Sequence, residues 1–438
     1  MEKTPITTHI SKLTHEGRGI AHVDGKATFL FGGLPDEDVT FKYTHKKSNF
    51  AEGDVIEVLQ ASSQRVTPKC AHFSLCGGCS LQHADHALQI AHKQSVLLEQ
   101  LKHFGNLSPQ EILPPLTANI WGYRKKARLG VKFVAKKNTV LVGFRERKSI
   151  FLAQLDQCEV LDPRVGHLIT PLRELITTLS VYQNIAQIEV AISDAEVALV
   201  FRNLKSLTPE DENKLKAFGK QHNVLIYLQP GNAESVYLLS PESRILNPES
   251  LLTYTLPDFD LKLQFHPMDF TQVNSEINRK MVKLALELLA PTKDETVLDL
   301  FCGLGNFTLP LARFAKQVIG VEGSDKMVER ATANAALNNI TNTEFYTADL
   351  SADFSANNWA KQTYDKILLD PPRTGAEKII EFIPHWKAKK IVYVSCNPAT
   401  LARDAGHLVK HGYHLSKAGI IDMFPHTSHV ESIAVFEK

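Results

Sequence analysis

The chain has 438 residues, of which 43% are hydrophobic and 22% are charged, and its formal net charge is +1. This length exceeds what one compact core usually organises, so the sequence predicts two to four domains. It has no run of about twenty apolar residues and no apolar stretch at its start, which argues against a membrane span and a secretory signal and favours a cytoplasmic protein.

Basic residues are concentrated between Tyr123 and Lys148, although the whole chain is nearly neutral. This segment has ten Lys or Arg and one acid, Glu146. A local excess of this kind can cover phosphate groups, while a solvated sheet face would carry the same charges. We expect Lys125 and Lys126 to take part in such phosphate contacts.

The first sixty residues predict short β-strands. Apolar and polar residues alternate in runs such as Ala27–Phe31, Val39–Tyr43 and Val55–Leu59, and Gly- and Pro-containing turns separate the runs. Short strands at this spacing favour a small barrel. Residues 84–104 then predict a helix, and residues 120–260 mix strands and helices.

Three cysteines follow the predicted barrel within ten residues: Cys70, Cys76 and Cys79. A cytoplasmic protein keeps its thiols reduced, so a metal explains this cluster better than disulfides do, and Cys158 could supply a fourth sulfur. Four thiolates suit either tetrahedral zinc or a [4Fe–4S] cluster, and the residue types do not separate the two.

The pattern changes at about residue 265. A helix over 275–290 precedes apolar strands that alternate with helices, at 296–300, 317–321, 366–370 and 390–394. Such alternation predicts an α/β domain with a doubly wound, mostly parallel sheet.

A glycine-rich turn, Asp299 to Phe307, follows the first of these strands. Ligands of such sheets bind beyond the carboxyl ends of the strands, where glycines let the backbone come close. Thr308 occupies the place of the third glycine of a dinucleotide motif, so this turn is not a dinucleotide fingerprint. Glu322 is placed to bind ribose hydroxyls, and Asp349 is placed to meet an adenine edge. These features resemble class I S-adenosylmethionine-dependent methyltransferases.

Cys396 comes directly after another strand of this sheet, in Ser395-Cys396-Asn397-Pro398. A lone cysteine is commonly a packing residue, but a thiolate there could add to C6 of a uracil and make C5 nucleophilic towards a methyl sulfonium. A base must afterwards remove the C5 proton so that the thiolate can leave. Glu431, His426 and His429 are the candidate bases.

Four motifs together resemble the signature set of the RNA uracil-C5 methyltransferase family: 299–306, 370–373, 395–398 and 429–431. The resemblance extends over essentially the whole chain. It implies a Rossmann-like class I methyltransferase domain, a nucleophilic Cys396 and a proton-accepting Glu431. It also implies S-adenosyl-L-methionine contacts at six positions: Gln272, Phe301, Asn306, Glu322, Asp349 and Asp370.

The segment from Cys76 to His83 resembles the iron–sulfur motif of the bacterial 23S rRNA branch of that family. This implies a [4Fe–4S] cluster whose ligands are Cys70, Cys76, Cys79 and Cys158. The N-terminal strands resemble a TRAM domain, an OB-like β-barrel. The expected organisation is therefore a TRAM barrel at 1–62, a mixed α+β central domain at 63–264 and a methyltransferase domain at 265–438.

The expected partner is 23S rRNA, with a flipped uridine as substrate, and the expected state is a cytoplasmic monomer. Two alternatives stay open at this point. Asp370-Pro371-Pro372-Arg373 also resembles the motif of enzymes that methylate an exocyclic amine of a base. A non-catalytic RNA-binding factor that holds zinc is the other alternative.

Overall fold

The computed structural model describes residues 5–239 and 251–438. Its N-terminal part is a six-stranded, mainly antiparallel sheet in the order β1-β5-β6-β4-β3-β2. The strands are Ile6–Ile10 (β1), Lys12–Leu13 (β2), Gly19–Val23 (β3), Lys26–Phe31 (β4), Glu37–Lys46 (β5) and Phe50–Gln60 (β6).

Alternation of apolar residues explains how this sheet closes around a core. Ile10, Leu30, Val39 and Phe41 are fully buried and pack on one another. Phe41 therefore fills the interior and offers no surface to a base, whereas Tyr43 is partly exposed and its ring lies 4.9 Å from that of Phe41, edge to face.

The central part contains a second six-stranded sheet in the order β13-β12-β11-β10-β8-β9, with helices packed on it. Its strands are Lys126–Val134 (β8), Thr139–Gly143 (β9), Ile185–Ile192 (β10), Val197–Asn203 (β11), Leu225–Gln229 (β12) and Tyr237–Leu238 (β13). Its helices are Pro163–Gly166 (α2), Ile169–Thr177 (α3) and Pro209–His222 (α4). A hairpin of Leu252–Leu256 (β14) and Leu261–Phe265 (β15) follows.

The C-terminal part is built on an eight-stranded sheet in the order β18-β17-β16-β19-β20-β22-β21-β7. The strands are Glu111–Ile112 (β7), Thr296–Leu300 (β16), Gln317–Glu322 (β17), Thr343–Thr347 (β18), Lys366–Leu369 (β19), Lys390–Ser395 (β20), His414–Ile421 (β21) and Glu431–Glu437 (β22). The helices are His86–Gly105 (α1), Ser275–Leu289 (α5), Thr308–Ala312 (α6), Asp325–Leu337 (α7), Glu377–Trp386 (α8) and Pro398–Lys410 (α9). Strands β16 to β20 are parallel, and β22 runs antiparallel between β20 and β21.

Apolar residues on both faces of each strand bury this sheet between two layers. Leu298, Leu300 and neighbouring residues pack with α1, α8 and α9, while Val297 and its counterparts on the other face pack with α5 and α6. The strand order reverses between β16 and β19, and a crevice at such a reversal is where open α/β sheets bind ligands.

Helix α1 and strand β7 precede the central sheet in the chain but pack on the C-terminal one. The domain boundaries expected from the sequence stay predictions. Helix α1 and strand β7 lie within the expected central domain, 63–264, but contact the expected methyltransferase domain. Among the described residues, no helix is both long and apolar enough to cross a bilayer.

Candidate active site

The carboxyl ends of β16, β17, β19 and β20 converge on one edge of the sheet, and β22 begins there. This edge brings Phe301, Glu322, Asp370, Cys396 and Glu431 together in the fold. Five of the residues predicted from the sequence therefore share one crevice.

The turn after β16 is held in a conformation that few side chains accept. Phe301, Gly303 and Gly305 have φ angles of 65°, 55° and 94°. Left-handed backbone costs little at the glycines but is unusual at Phe301, where such an outlier marks a site the surrounding fold constrains. The Phe301 N–H donates to Val321 O at 2.9 Å, which fixes this turn against β17.

Two acidic residues form hydrogen bonds with the turn and with the residue that follows it. Asp299 is fully buried and accepts a hydrogen bond from the Thr308 hydroxyl at 2.5 Å, and burial raises its pKa to about 8. Glu322 accepts from the N–H groups of Gly303 at 3.1 Å and Gly323 at 2.9 Å. Glu322 is thus oriented by backbone amides at the edge of the crevice, as a ribose-binding carboxylate requires.

Asn306 is part of a hydrogen-bond network that reaches beyond the turn. Its amide exchanges two hydrogen bonds with the Asn278 amide, at 2.9 and 3.0 Å, and its Oδ1 accepts from the Tyr254 hydroxyl at 2.8 Å. Gln272 lines a small cavity together with Tyr254 and Asn278. Asp349 is exposed, and its Oδ1 accepts from the Ser351 N–H and hydroxyl.

Tyr254 and Asn278 are absent from the sequence-based prediction. Asn278 has a detectable signal, because it is a polar residue on the apolar face of α5, beside Ile277 and Met281. Tyr254 lies in a strand of the preceding hairpin and has no comparable signal.

Cys396 ends the β20 segment and lies half-buried at the wall of a cavity of about 450 Å³. The same cavity is lined by His15 from the N-terminal sheet, Phe104 from α1, and Arg373 and His429 from the C-terminal part. Its walls thus come from the N-terminal sheet region, from helix α1 and from the C-terminal sheet region.

Local hydrogen bonds hold the segment that carries Cys396. Asn397 caps α9 by accepting from the Ala399 N–H at 3.1 Å, and Pro398 occupies the first turn, where its missing N–H costs nothing. The Asn397 side chain donates to Arg373 O at 3.0 Å. The segments 370–373 and 395–398 are therefore fixed to each other.

Glu431 begins β22, and its neighbour Ser432 pairs with Ser395 of β20. It is 4% exposed, and burial together with the charge of Asp370 raises its pKa to about 8. Burial, followed by the charges of Glu431 and Asp370, raises the pKa of Cys396 to about 11, while the Arg373 guanidinium opposes this. Burial raises the pKa of Asp370 to about 7. Burial and mutual repulsion thus disfavour simultaneous ionisation of this thiol and these two carboxyls, an arrangement that suits proton exchange among them.

The two histidines differ in their position. His426 is buried, its ring stacks on Trp121 at 3.8 Å, and burial lowers its pKa to about 4. His429 lines the cavity and its Nδ1 lies 3.4 Å from Arg373 Nη2, with its pKa lowered by burial. His429 thus lines the cavity at Cys396 and the charge of Glu431 acts on the Cys396 thiol, whereas His426 does not line this cavity.

All four predicted metal ligands line one cavity elsewhere: Cys70, Cys76, Cys79 and Cys158. Burial raises the pKa of Cys76 to about 11 and that of Cys79 to about 12, and each thiol disfavours ionisation of the others. Throughout residues 5–239 and 251–438, no three His, Cys, Asp or Glu side chains are close enough to bind one metal ion. Cys302 is buried away from them in the turn after β16.

The predicted phosphate contact of Lys126 does not fit the structure, whereas that of Lys125 stays a prediction. The Lys126 ammonium donates to Pro267 O and, at 2.8 Å, to Asp269 O, and burial lowers its pKa to about 8. Lys125 lies 3.8 Å from Asp194. Three other lysines of the segment are exposed on the central sheet, Lys132, Lys136 and Lys137, and we call them the lysine patch.

Comparison with known proteins places the chain among nucleic-acid methyltransferases. The profile of the family described as tRNA (uracil-5-)-methyltransferase matches residues 87–438. A protein of Alcanivorax borkumensis named 23S rRNA (uracil(1939)-C(5))-methyltransferase RlmD is 54% identical over 438 residues, covering 100% of this chain and 98% of its own. A Hahella chejuensis protein of the same name is 54% identical over 437 residues, covering 99% and 97%.

A solved structure shares the fold over nearly the whole chain. The tRNA (uracil-54, C5)-methyltransferase of Pyrococcus abyssi, in complex with S-adenosyl-L-homocysteine, superposes with a TM-score of 0.74 and 24% identity. The match covers 98% of this chain and 100% of that one.

Proposed function

Because this chain belongs to the tRNA (uracil-5-)-methyltransferase family, we propose that it methylates C5 of a uridine in 23S rRNA, with S-adenosylmethionine as the methyl donor. The full-length relatives carry the name of an enzyme for uracil 1939 of that RNA, which makes this nucleotide the proposed target. The observation that carries the proposal is a cysteine at the carboxyl end of β20 beside a buried carboxyl at the start of β22.

In the proposed reaction, the Cys396 thiolate attacks C6 of the uracil, forming an S–C6 bond and moving the electrons of the C5=C6 double bond towards C5 and O4. Bound S-adenosylmethionine supplies the electrophilic methyl group that C5 then takes. Glu431 accepts the proton of C5, the double bond re-forms, and the S–C6 bond breaks to release the thiolate.

The charges of the site support these roles. Burial and the charges of two carboxylates raise the pKa of the Cys396 thiol to about 11, and a thiolate with so high a pKa is a poor leaving group. The Arg373 guanidinium at the cavity wall lowers this pKa and so favours departure of the thiolate. A carboxyl with a pKa of about 8 is a stronger base than an exposed glutamate, so Glu431 is suited to take a proton from carbon.

We assign the cofactor to the crevice beside the turn after β16. Glu322 would bind the ribose hydroxyls and Asp349 the adenine edge, while Phe301 lies at the constrained turn. Gln272, Asn306 and Asp370 would hold the methionine end, and the charge of Asp370 acts on the Cys396 thiol.

Methylation of defined RNA tests this function. Purified protein, S-adenosylmethionine and 23S rRNA from a strain lacking the modification should yield 5-methyluridine at the target, located by mass spectrometry. The Cys396→Ala variant should form none. Survival of methylation in that variant would instead favour transfer to an exocyclic amine, which needs no thiol and which the motif 370–373 also allows.

We further propose that Cys70, Cys76, Cys79 and Cys158 bind a [4Fe–4S] cluster. Their convergence on one cavity supports a shared ligand. Four thiols suit either zinc or a cluster, and the resemblance of residues 76–83 to an iron–sulfur motif is what favours the cluster. When bound, it would cross-link the 70–79 loop to the segment at Cys158. Anaerobic purification should give a brown protein with iron and sulfide, whereas a colourless protein with stoichiometric zinc would refute the cluster.

The RNA-binding surface is proposed to run from the N-terminal sheet, as a TRAM domain, to the lysine patch. His15 contributes to the wall of the cavity at Cys396, which supports an RNA path between the N-terminal sheet and the catalytic sheet. A target uridine must leave its stack to reach the thiol.

A further inference from the structure

One fully buried cation has no role in the chemistry above: Lys93 of helix α1. Its side chain and that of its partner Asp422 are both 0% exposed, with Nζ 2.6 Å from Asp422 Oδ1. The ammonium also donates to Phe424 O at 2.9 Å. Burying two charges is costly, and a buried pair is weak support for stability, so a specific conformational role is a reasonable explanation for keeping it.

The partner Asp422 begins the turn that leads into Glu431. Residues 422–430 connect β21 to β22, and Ile421 pairs with Glu431 across the two strands. The turn includes His426 in a left-handed conformation, with φ 67°. Within the turn, the Thr427 hydroxyl donates to Phe424 O at 2.9 Å and the His429 N–H donates to Thr427 Oγ1 at 3.3 Å, and groups outside the turn add further hydrogen bonds.

Most of those outside groups come from the segment that contains α1 and the cysteine loop, while the Tyr123 hydroxyl donates to Pro425 O at 3.0 Å and the Asp422 N–H donates to Leu116 O at 2.9 Å. The Ser80 and Leu81 N–H groups both donate to His426 O at 3.0 Å, and the Ser80 hydroxyl accepts from the Ser428 N–H at 3.0 Å. Gln89 accepts from the His426 N–H at 2.8 Å. Four residues that are remote in sequence, Ser80, Leu81, Gln89 and Lys93, thus contact the turn from Asp422 to Ser428.

The far end of the turn forms part of the reacting site. Ser428, His429 and Val430 line the cavity that contains Cys396, and Glu431 follows directly. A displacement of Asp422 or Phe424 would therefore be passed along nine residues to the base and to the cavity wall.

We propose that Lys93 is a positioning residue for the proton-removal step, acting through Asp422 and the 422–430 turn to hold Glu431 at C5 of the substrate. This inference rests on the proposed function. It predicts that loss of Lys93 slows the step that needs the base while leaving attack by Cys396 intact.

Two RNA substrates separate these steps. On uridine RNA, turnover requires both thiol attack and proton removal. On 5-fluorouridine RNA, fluorine replaces the C5 proton, so attack and methyl transfer proceed but the thiolate cannot leave, and a covalent adduct accumulates at a rate independent of the base.

The test variant is Lys93→Met with Asp422→Asn, which removes both charges and so leaves no unpaired buried ion. We expect a melting temperature close to that of the wild type, turnover on uridine RNA reduced at least tenfold and KM for S-adenosylmethionine within twofold. The 5-fluorouridine adduct should form within twofold of the wild-type rate, and an adduct should accumulate even on uridine RNA. Lys283→Met, which breaks the exposed pair with Asp258, is the matched control and should change none of these values.

Turnover of the double variant within twofold of wild type would overturn the role of Lys93, and so would a parallel loss of turnover and adduct formation. If the double variant does not fold, Ser80→Ala is the second test, since it removes the acceptor of the Ser428 N–H alone. Ser80→Ala should also reduce turnover on uridine RNA while leaving the rate of 5-fluorouridine adduct formation unchanged. A variant in which both rates stay unchanged or fall together would equally overturn the inference. A wild-type protein that forms no adduct would overturn the proposed function itself.

Discussion

The charge of Glu431 should suppress the reactivity of Cys396 in the absence of substrate. The pKa of this thiol is raised from 9.0 to about 11, first by burial and then by Glu431 and Asp370. At pH 9, where most Glu431 carboxyls are ionised, only about one thiol in 10² would then be ionised. Replacing Glu431 with Gln removes one of the two repelling carboxylates, so the variant should be inactive as an enzyme yet more reactive as a thiol.

The size of this effect follows from the share of the shift that Glu431 contributes. Since burial is the larger cause, we take that share as about one pH unit or less. At pH 9, where a Glu431 carboxyl with a pKa of about 8 is mostly ionised, the substitution then raises the thiolate fraction up to about tenfold. A less basic thiolate is also a weaker nucleophile, and with a Brønsted slope of about 0.4–0.5 the net gain in alkylation rate is about threefold.

Alkylation by iodoacetamide between pH 8 and 12, followed at the Cys396 peptide by mass spectrometry, measures this. The midpoint of the rate profile should move down by up to about one pH unit in Glu431→Gln. Glu437→Gln is the matched control, because Glu437 ends the same strand and pairs with Lys390 at 2.9 Å. An unchanged or higher midpoint in Glu431→Gln would refute the electrostatic account of the site.

Three further outcomes are expected. The acid limb of kcat/KM should have an apparent pKa near 8, because Glu431 must be ionised to accept the proton. Arg373→Met should move that limb to higher pH, because the guanidinium lowers the pKa of this carboxyl. A kcat/KM that does not change between pH 6 and pH 9 would contradict this. Cys158→Ser should lose most bound iron in an anaerobic iron and sulfide assay whereas Cys302→Ser should retain it, and equal iron in both would exclude Cys158 as a ligand. Replacing the three lysines of the lysine patch with alanines should make the negative slope of log K for RNA binding against log salt less steep by about 2 to 3 in a filter-binding assay. An unaltered slope would show that the patch is not part of the RNA-binding surface.

The catalytic sheet could be predicted from the sequence because its strands are short apolar runs buried on both faces. The predicted strand at 296–300 is the strand Thr296–Leu300, and that at 390–394 extends by one residue to Ser395. Residues at the carboxyl ends of parallel strands necessarily share one edge, so the convergence of Glu322, Asp370 and Cys396 follows from order alone.

Other parts of the site depend on contacts that no local pattern encodes. Glu431 reaches Cys396 because β22 returns antiparallel to β20, and only the family resemblance indicated that placement. Lys93 and Asp422 are 329 residues apart, and a lysine in a helix ordinarily points to water. Lys126 looked like a phosphate ligand, but the backbone at Pro267 and Asp269 occupies its ammonium. Charge in a sequence does not reveal which cations the fold encloses.

The most direct test concerns the transient bond between the Cys396 sulfur and the pyrimidine ring. Protein incubated with S-adenosylmethionine and a 5-fluorouridine-containing fragment of 23S rRNA should gain the mass of the RNA plus one methyl group, with the nucleotide mapped to Cys396 after digestion. A protein that methylates unmodified RNA yet forms no such adduct, or forms it on another residue, would contradict the account.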